Sequence, residues 1–324
     1  MKNDIETAET PFDADELNLV TLAKEYSDED KARELFESLR WPHGAICPRC
    51  KNDGSTKPNS KLTPQPDSKR AVRKGVYFCG ACRKQFTATI GTALEGSHIP
   101  ISKWLMALFI ISASKKAVSA HQLHRMLGMT YKAAWFMAHR IRFSLGNNEG
   151  GKLSGVVEVD ETFVGGVGDA KTKFSRKTPV VALIEQGGKM KTRVVPDVSM
   201  HNLGKALHEC VSPSAIVCTD EHHGYKKAGK EFKAHYAVNH SKLEYTVQKP
   251  DGVEAGVNHC ESFFSLLKRG VYGSWHNVSR EHLQKYSNEF AFRWNHRKLT
   301  DGARMASAIP MLEGKRLLYR QPAN

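Results

Sequence analysis

The sequence V-V-E-V-D-E-T-F occupies residues 156–163 and decides the fold of the C-terminal half of the chain. It is rich in valine and bounded by glycines, a pattern typical of a buried β-strand. A second run, A-I-V-C-T at residues 215–219, has the same character. Asp160 ends the valine run of the first segment and Asp220 follows the second. Two such strands in one sheet predict two neighbouring carboxylates at a sheet edge.

The segments around this pair predict a mixed α/β domain. Strand patterns occur at residues 156–163, 179–185, 192–198, 215–219 and 234–238. Helical patterns occur at 203–211, 225–232 and 255–270, and a last amphipathic helix is expected at 280–296. Three strands in a row, followed by alternating helix and strand, favour a mixed five-stranded sheet.

A third carboxylate, Glu261, opens the amphipathic stretch S-F-F-S-L-L-K-R. Two carboxylates at strand ends and one on a helix can converge on Mg²⁺, which prefers hard oxygen ligands. Taken alone, an aspartate at a strand end is more often a turn residue or a helix cap. Lys268 follows Glu261 by seven residues on the same helix face, so a metal and a DNA phosphate could be bound side by side. Asn258, three residues before Glu261, remains an alternative third residue.

Four cysteines form two C-x-x-C pairs, Cys47 with Cys50 and Cys79 with Cys82. Two such pairs can complete a tetrahedral thiolate site for a structural Zn²⁺. Their 28-residue spacer is polar and predicts a long loop over residues 52–74. Gly80 is expected to permit the tight turn of the second pair. Two unrelated redox pairs are the alternative reading.

Between the cysteine pairs and the strands, the chain is helical. The residues 118–127, 128–130 and 131–143 predict a helix, a tight turn and a helix. A helix-turn-helix of this kind would leave Lys132 and Arg140, together with Tyr131, His139 and Arg142, available for DNA. A plain αα-hairpin has the same pattern and is equally compatible with it.

Charge is distributed unevenly along the 324 residues. The net charge is +14, yet residues 1–40 carry 12 acidic and 5 basic side chains, so the remainder carries +21. A basic body of this kind is typical of proteins that bind nucleic acid. The chain has no apolar run near the roughly 18 residues of a membrane span, and its N-terminus is polar. We therefore expect a cytoplasmic, nucleoid-associated protein with no membrane partner.

Several motifs in the same order resemble one protein family. The segments V-D-E-T-F-V-G-G, T-D-E-H-H-G-Y and N-H-C-E-S-F-F-S-L-L-K-R-G are similar to the blocks of DDE-type insertion-sequence transposases. With the C-P-R-C pair and the closing F-A-F-R-W-N-H-R, the chain resembles the insertion sequence 1595 family, which joins a zinc ribbon to an ISXO2-like transposase domain. The resemblance runs from about Leu35 to Leu299.

The resemblance implies an RNase H-like catalytic domain and a metal-binding triad of Asp160, Asp220 and Glu261. It further implies that the triad holds two Mg²⁺ or Mn²⁺ ions, cuts DNA at terminal inverted repeats, and joins the freed 3′-hydroxyl to target DNA. Predicted DNA contacts are Lys268, Arg269, His222, Lys132 and Arg140. A homodimer or higher oligomer on DNA is expected. A DNA-binding regulator and an RNase H-like nuclease without joining activity remain alternatives.

These inferences give a predicted domain order. It consists of an acidic N-terminal segment with helices (1–40), a zinc ribbon (41–95), a helix-turn-helix-like region (96–148), an RNase H-like DDE domain (152–300) and a basic tail (301–324).

Overall fold

The computed structural model describes residues 13–63, 72–146, 150–165, 177–221, 223–225, 228–238, 246–248, 252–314 and 317–318. The chain divides into two compact units. The first comprises Met1–Ser114, Ala120–Leu145 and Leu299–Asn324, and the second comprises Lys115–Ser119 and Gly146–Lys298. Within the described residues, no helix is both long enough and apolar enough to cross a membrane.

The regular elements are numbered in chain order. The helices are α1 (Leu19–Glu25), α2 (Glu29–Arg40), α3 (Ile101–Ala113), α4 (Ala120–Leu127), α5 (Tyr131–Leu145), α6 (Met200–Cys210), α7 (Asn258–Gly270), α8 (Arg280–Asn295) and α9 (Asp301–Met311). The strands are β1 (Asn59–Lys61), β2 (Val76–Cys79), β3 (Gln85–Thr87), β4 (Val156–Val164), β5 (Thr178–Glu185), β6 (Met190–Val194), β7 (Ile216–Asp220), β8 (Ala234–Val238), β9 (Thr246–Gln248) and β10 (Glu254–Gly256).

The first unit combines a three-stranded sheet with helices. Strands β1, β2 and β3 form an antiparallel sheet, and helix α2 precedes it. Helix α2 begins at Glu29, because the Asp28 carboxylate caps it by accepting the N–H groups of Asp30 and Lys31 at 3.0 Å each. Helix α3 buries Trp104, Leu105 and Leu108 almost completely.

Two parts of the first unit differ from the sequence-based expectation. The predicted loop over residues 52–74 contains β1, whose polar residues show no strand pattern and which is held by pairing with β2. The predicted basic tail begins with a helix, α9. Thr300 caps it by accepting the N–H of Ala303 at 3.2 Å, and Met305, Ala308 and Ile309 are buried. The tail prediction therefore missed an apolar helix face.

The second unit contains the predicted mixed five-stranded sheet, in the order β6-β5-β4-β7-β8. Strand β4 pairs antiparallel with β5 and parallel with β7. The parallel register aligns Val159 with Thr219, so Asp160 and Asp220 are the next residues along two adjacent strands. Neighbouring strands lie about 4.8 Å apart. The sheet therefore brings the two predicted carboxylates to one edge.

Side-chain alternation assigns the residues of β4 to two different layers. Val157 and Val159 belong to a core with Leu203 and Leu207 of α6. The opposite face of the sheet contributes Val164 and Ala182 to a core with helices α7 and α8. Asp160, four residues before Val164, belongs to this second face. The sheet thus presents Asp160 on the side that carries α7.

The connections differ from prediction around β8. The expected helix at residues 225–232 is replaced by two short 3₁₀ turns, His223–Tyr225 and Ala228–Glu231. Gly229 approaches the ring of His235 so closely that a Cβ would lie 2.4 Å from it, a contact that only glycine allows. The helix expected from Ala255 begins at Asn258, because residues 254–256 form β10 and pair with β9.

Candidate active site and zinc centre

The four paired cysteines converge in the first unit. Their sulfur atoms all lie within 4.8 Å of one another, with 3.8 Å between Cys47 and Cys82 and 3.6 Å between Cys50 and Cys79. At a Zn–S distance of about 2.3 Å, sulfurs of a tetrahedral site lie about 3.8 Å apart. A disulfide would require about 2.05 Å. The spacing therefore fits a structural Zn²⁺ held by Cys47, Cys50, Cys79 and Cys82.

The backbone builds the two halves of this site in the same way. The N–H of Lys51 donates to Cys47 O, and the N–H of Arg83 donates to Cys79 O, both at 2.9 Å. Lys51 and Arg83 also share a left-handed conformation, with φ of 61° and 56°. Gly80, in the turn of the second pair, does not have a positive φ. It is required for a different reason, because a Cβ there would lie 2.7 Å from Pro58 O.

The second unit gathers the three predicted carboxylates. Asp160 and Asp220 end up side by side on β4 and β7, and Glu261 lies in the first turn of α7. Helix α7 is positioned by burial of Cys260, whose sulfur lies 3.7 Å from Ala182 O. Ala182 is the residue that pairs with Asp160 across β4 and β5. Glu261, which directly follows Cys260, therefore lies close to the strand position of Asp160.

The pKa of Asp160 reflects its burial and the neighbouring carboxylates. Burial raises the pKa of Asp160 to about 7, and the Glu161, Asp220 and Glu261 carboxylates add to the rise. The N–H of Glu161, which donates to Asp160 Oδ1 at 2.7 Å, acts in the opposite direction. A carboxylate whose charge is disfavoured by its neighbours is a functional-site candidate, since a bound cation would relieve the repulsion.

Strand alternation separates Asp160 from the acid that follows it. Glu161 points to the opposite face of the sheet, where its Oε2 accepts the hydroxyl of Tyr225 at 2.5 Å. Tyr225 is completely buried, and burial raises its pKa well above the ordinary value. This bond gives Glu161 a structural partner, so only Asp160 of the pair faces α7.

Comparison with known proteins identifies both units. Residues 152–295 match the ISXO2-like transposase domain, and residues 27–85 match the transposase zinc-ribbon domain. The chain carries an ISXO2-like transposase domain. A relative from Halobacterium salinarum, described as an uncharacterized protein in transposable element ISH50, is 25% identical over 290 residues, which cover 83% of this chain and 92% of the relative. These matches confirm the family resemblance read from the sequence.

The predicted DNA contacts occupy different environments. In the transposase domain, Lys268 is partly exposed and Arg269 is exposed, both in the last turns of α7. Lys132 is exposed at the start of α5. His222 lies outside the described residues. Arg140 is only 5% exposed and donates to Leu317 O and Glu95 O at 3.2 and 3.0 Å. Its side chain is thus buried and hydrogen-bonded inside the first unit, so the predicted DNA contact of Arg140 is wrong.

Sequence reasoning missed one residue beside the transposase site. Glu158 is 2% exposed, yet its Oε2 accepts the N–H of His259 at 3.0 Å and its Oε1 lies 2.7 Å from His259 Nδ1. The sequence did offer a signal for Glu158, which is a charged residue two positions before Asp160 on the same face of the strand. Glu158 ties the first turn of α7, which carries Asn258 and Glu261, to the strand that carries Asp160.

Proposed function

We propose that this chain is an active DDE-type transposase, which cuts DNA at the ends of an insertion sequence and joins those ends to target DNA. The observation that carries the proposal is the meeting of Asp160, Asp220 and α7 on one face of the sheet in an ISXO2-like transposase domain. We read that mixed sheet as the RNase H-like fold implied by the family resemblance.

Asp160, Asp220 and Glu261 would hold catalytic Mg²⁺ or Mn²⁺. Their carboxylate oxygens are the hard ligands that these ions prefer. The ions, when bound, supply an activated water and neutralise charge on the transferring phosphoryl group. The raised pKa of Asp160 supports this assignment, because burial and then the neighbouring carboxylates disfavour its charge, and a bound cation would offset both effects. We assign the third position to Glu261 rather than Asn258, since a carboxylate binds these cations more strongly than an amide.

The reaction consists of two phosphoryl transfers at this site. In the first, water attacks a phosphorus atom at the transposon end, and the bond to the 3′-oxygen breaks. This step leaves a 3′-hydroxyl on one fragment of the cut strand and a 5′-phosphate on the other fragment. In the second, the 3′-hydroxyl attacks a phosphorus atom of target DNA, and one phosphodiester replaces another. Lys268 and Arg269, on the helix of Glu261, would hold the DNA phosphates.

The remaining parts of the chain would bind and pair the DNA ends. The zinc ribbon and the exposed residues of α4 and α5, including Lys132, offer basic side chains for the terminal inverted repeats. Pairing two ends requires at least two active sites, so we infer a homodimer or higher oligomer on DNA. A substrate of this kind locates the protein at the nucleoid.

The proposal is tested with purified protein, Mn²⁺ or Mg²⁺, and a labelled duplex that carries the terminal repeats flanking the gene. We expect cleaved and strand-joined products that require metal. Asp160→Asn, Asp220→Asn and Glu261→Gln should each reduce both products below detection. Glu254→Gln removes an exposed acid of the same unit outside the triad, and should leave both products unchanged.

Three results would contradict the proposal. Cleavage without joining would indicate a nuclease, and repeat-specific binding with no metal-dependent product would indicate a DNA-binding regulator. Asn258→Ala settles the third ligand. If that variant loses all product while Glu261→Gln retains it, the assignment of Glu261 is wrong.

A further inference from the structure

Helix α7 does not end at Gly270 but continues into a π-helical turn, Val271–Trp275. Within this turn, Tyr272 is 58% exposed, among the largest exposures of any apolar side chain in the described residues. No hydrogen bond or ring contact to Tyr272 occurs in the part of the chain that the structure describes. Short π-helical segments are frequent at functional sites. The position of this ring therefore calls for a specific explanation.

The turn that presents Tyr272 is firmly anchored. Val271 is buried, and the Trp275 ring packs against Tyr286 at 4.2 Å between ring centroids. Trp275 Nε1 donates to Val118 O at 3.1 Å, and Ser274 Oγ donates to Lys116 O at 2.8 Å. The residues on both sides of Tyr272 are thus fixed to the body of the second unit. The backbone that carries the exposed ring is therefore held in place on the surface.

Basic side chains surround this ring. Lys268 and Arg269 lie in the preceding turn of α7, and the exposed Lys115 and Lys116 belong to the segment that accepts the Ser274 bond. Acidic residues do not occur between Glu261 and Glu281 in the sequence. An exposed aromatic ring on an anchored backbone, with basic residues beside it, is the arrangement by which proteins stack single-stranded bases and hold their phosphates.

We propose that Tyr272 is a stacking platform for an unpaired nucleobase of the DNA strand that enters the active site. The proposal rests on the proposed function and extends it to a specific residue. Glu261, Lys268 and Tyr272 are spaced by seven and eleven residues, which places them along one side of the helix. At 1.5 Å per residue, Tyr272 lies about 16 Å from Glu261 along the helix axis. That length corresponds to about five nucleotide steps of duplex DNA.

An unpaired base fits this surface better than a duplex. In a duplex, each base is covered on both faces by its neighbours, so a protein ring cannot stack on it without displacing one. A base that has left the stack about five nucleotides from the cut exposes such a face. Tyr272 would hold that base while Lys268 and Arg269 hold the adjacent phosphates, which would keep the freed 3′-end near Asp160 and Asp220.

The test compares two labelled probes, a short oligothymidylate and an abasic oligomer with the same number of phosphates. The full-length protein should bind the oligothymidylate at least about five-fold more tightly than the abasic oligomer, as expected for one stacked base. Tyr272→Ala should reduce that ratio to near one, while Tyr272→Phe should retain it. Lys268→Gln should weaken the binding of both probes by the same factor. Met200→Ala, which removes an exposed apolar side chain of α6, should leave the ratio unchanged.

The proposal is overturned if the wild-type protein binds both probes equally, or if Tyr272→Ala keeps the wild-type ratio at an unchanged melting temperature. The two proposals fail separately. Asp220→Asn should abolish strand joining but keep the preference for the oligothymidylate. If the wild-type protein forms no metal-dependent product, that result counts against the transposase activity alone. Normal joining by Tyr272→Ala with an unchanged ratio counts against the platform alone.

Discussion

Glu158 is a buried carboxylate whose two oxygens engage the main chain and the imidazole of His259. Asp160 follows Glu158 by two residues on β4, and Glu261 follows His259 by two residues on α7. The bonds between Glu158 and His259 therefore fix the distance between Asp160 and Glu261. We expect Glu158→Gln to weaken Mn²⁺ binding and to lower product formation about 10- to 100-fold, as partners of metal ligands commonly do. Raising the Mn²⁺ concentration should partly restore the rate.

The Glu158 prediction is checked by measuring product formation against Mn²⁺ concentration, with urea unfolding in parallel. Glu209→Gln, which removes a surface acid paired with Arg193, is the control and should change neither measurement. If Glu158→Gln lowers only the free energy of unfolding, and the Mn²⁺ dependence of the remaining activity is that of the wild type, then Glu158 is structural and does not position the site.

Sequence alone identified Asp160 because the valine run stops there, but it could not separate Asp160 from Glu161. The separation depends on which face of β4 meets α7, and that follows from tertiary packing. The same limit applies to Glu158, whose partner His259 is 101 residues away. Local patterns therefore predicted the candidate site, whereas the residues that hold its geometry required the fold.

At the scale of elements, the zinc ribbon depends on its metal. Four sulfurs within 4.8 Å of one another, on three short strands and two turns, leave little apolar core to hold them without Zn²⁺. We expect one zinc per chain, and its removal by a chelator should unfold the ribbon because metal binding and folding of such sites are coupled. Cys50→Ser should have the same effect.

Zinc content by atomic absorption and amide chemical shifts of the ribbon check this prediction. A reducing agent without chelator should change neither, since no described cysteine forms a disulfide. Loss of ribbon signals with reductant alone would contradict the zinc assignment. The strands β4 to β8, which contain none of the four cysteines, should keep their signals in both treatments.

The helix pair α4 and α5 shows where element-level prediction fails. Its boundaries follow apolar periodicity, and the observed helices fall within a few residues of the predicted ones. The exposed face could not be predicted in the same way. His139, Arg140 and Arg142 have the polarity of surface residues, yet all three are buried, and Arg140 bonds main-chain carbonyls from distant segments. Charged residues are placed by their partners, and those partners are not local in sequence.

At the scale of the whole molecule, a net charge of +14 makes DNA binding dependent on salt. Each phosphate contact that releases counterions contributes a slope of about −0.9 to the dependence of log K on log salt concentration. Lys268→Gln and Lys205→Gln remove the same charge. Lys268 lies on α7 beside the site, whereas Lys205 is exposed on α6, which packs on the opposite face of the sheet. The two variants therefore separate local contact from total charge.

We expect Lys268→Gln to reduce the steepness of the salt dependence by about 0.9, because one phosphate contact is lost. Lys205→Gln should keep the wild-type slope, since its charge acts only over distances that salt screens. Fluorescence anisotropy with the terminal-repeat duplex at several salt concentrations measures both slopes. Equal changes in the two variants would mean that the basic surface attracts DNA without a defined contact at α7, and the orientation proposed for the DNA strand along that helix would then be wrong.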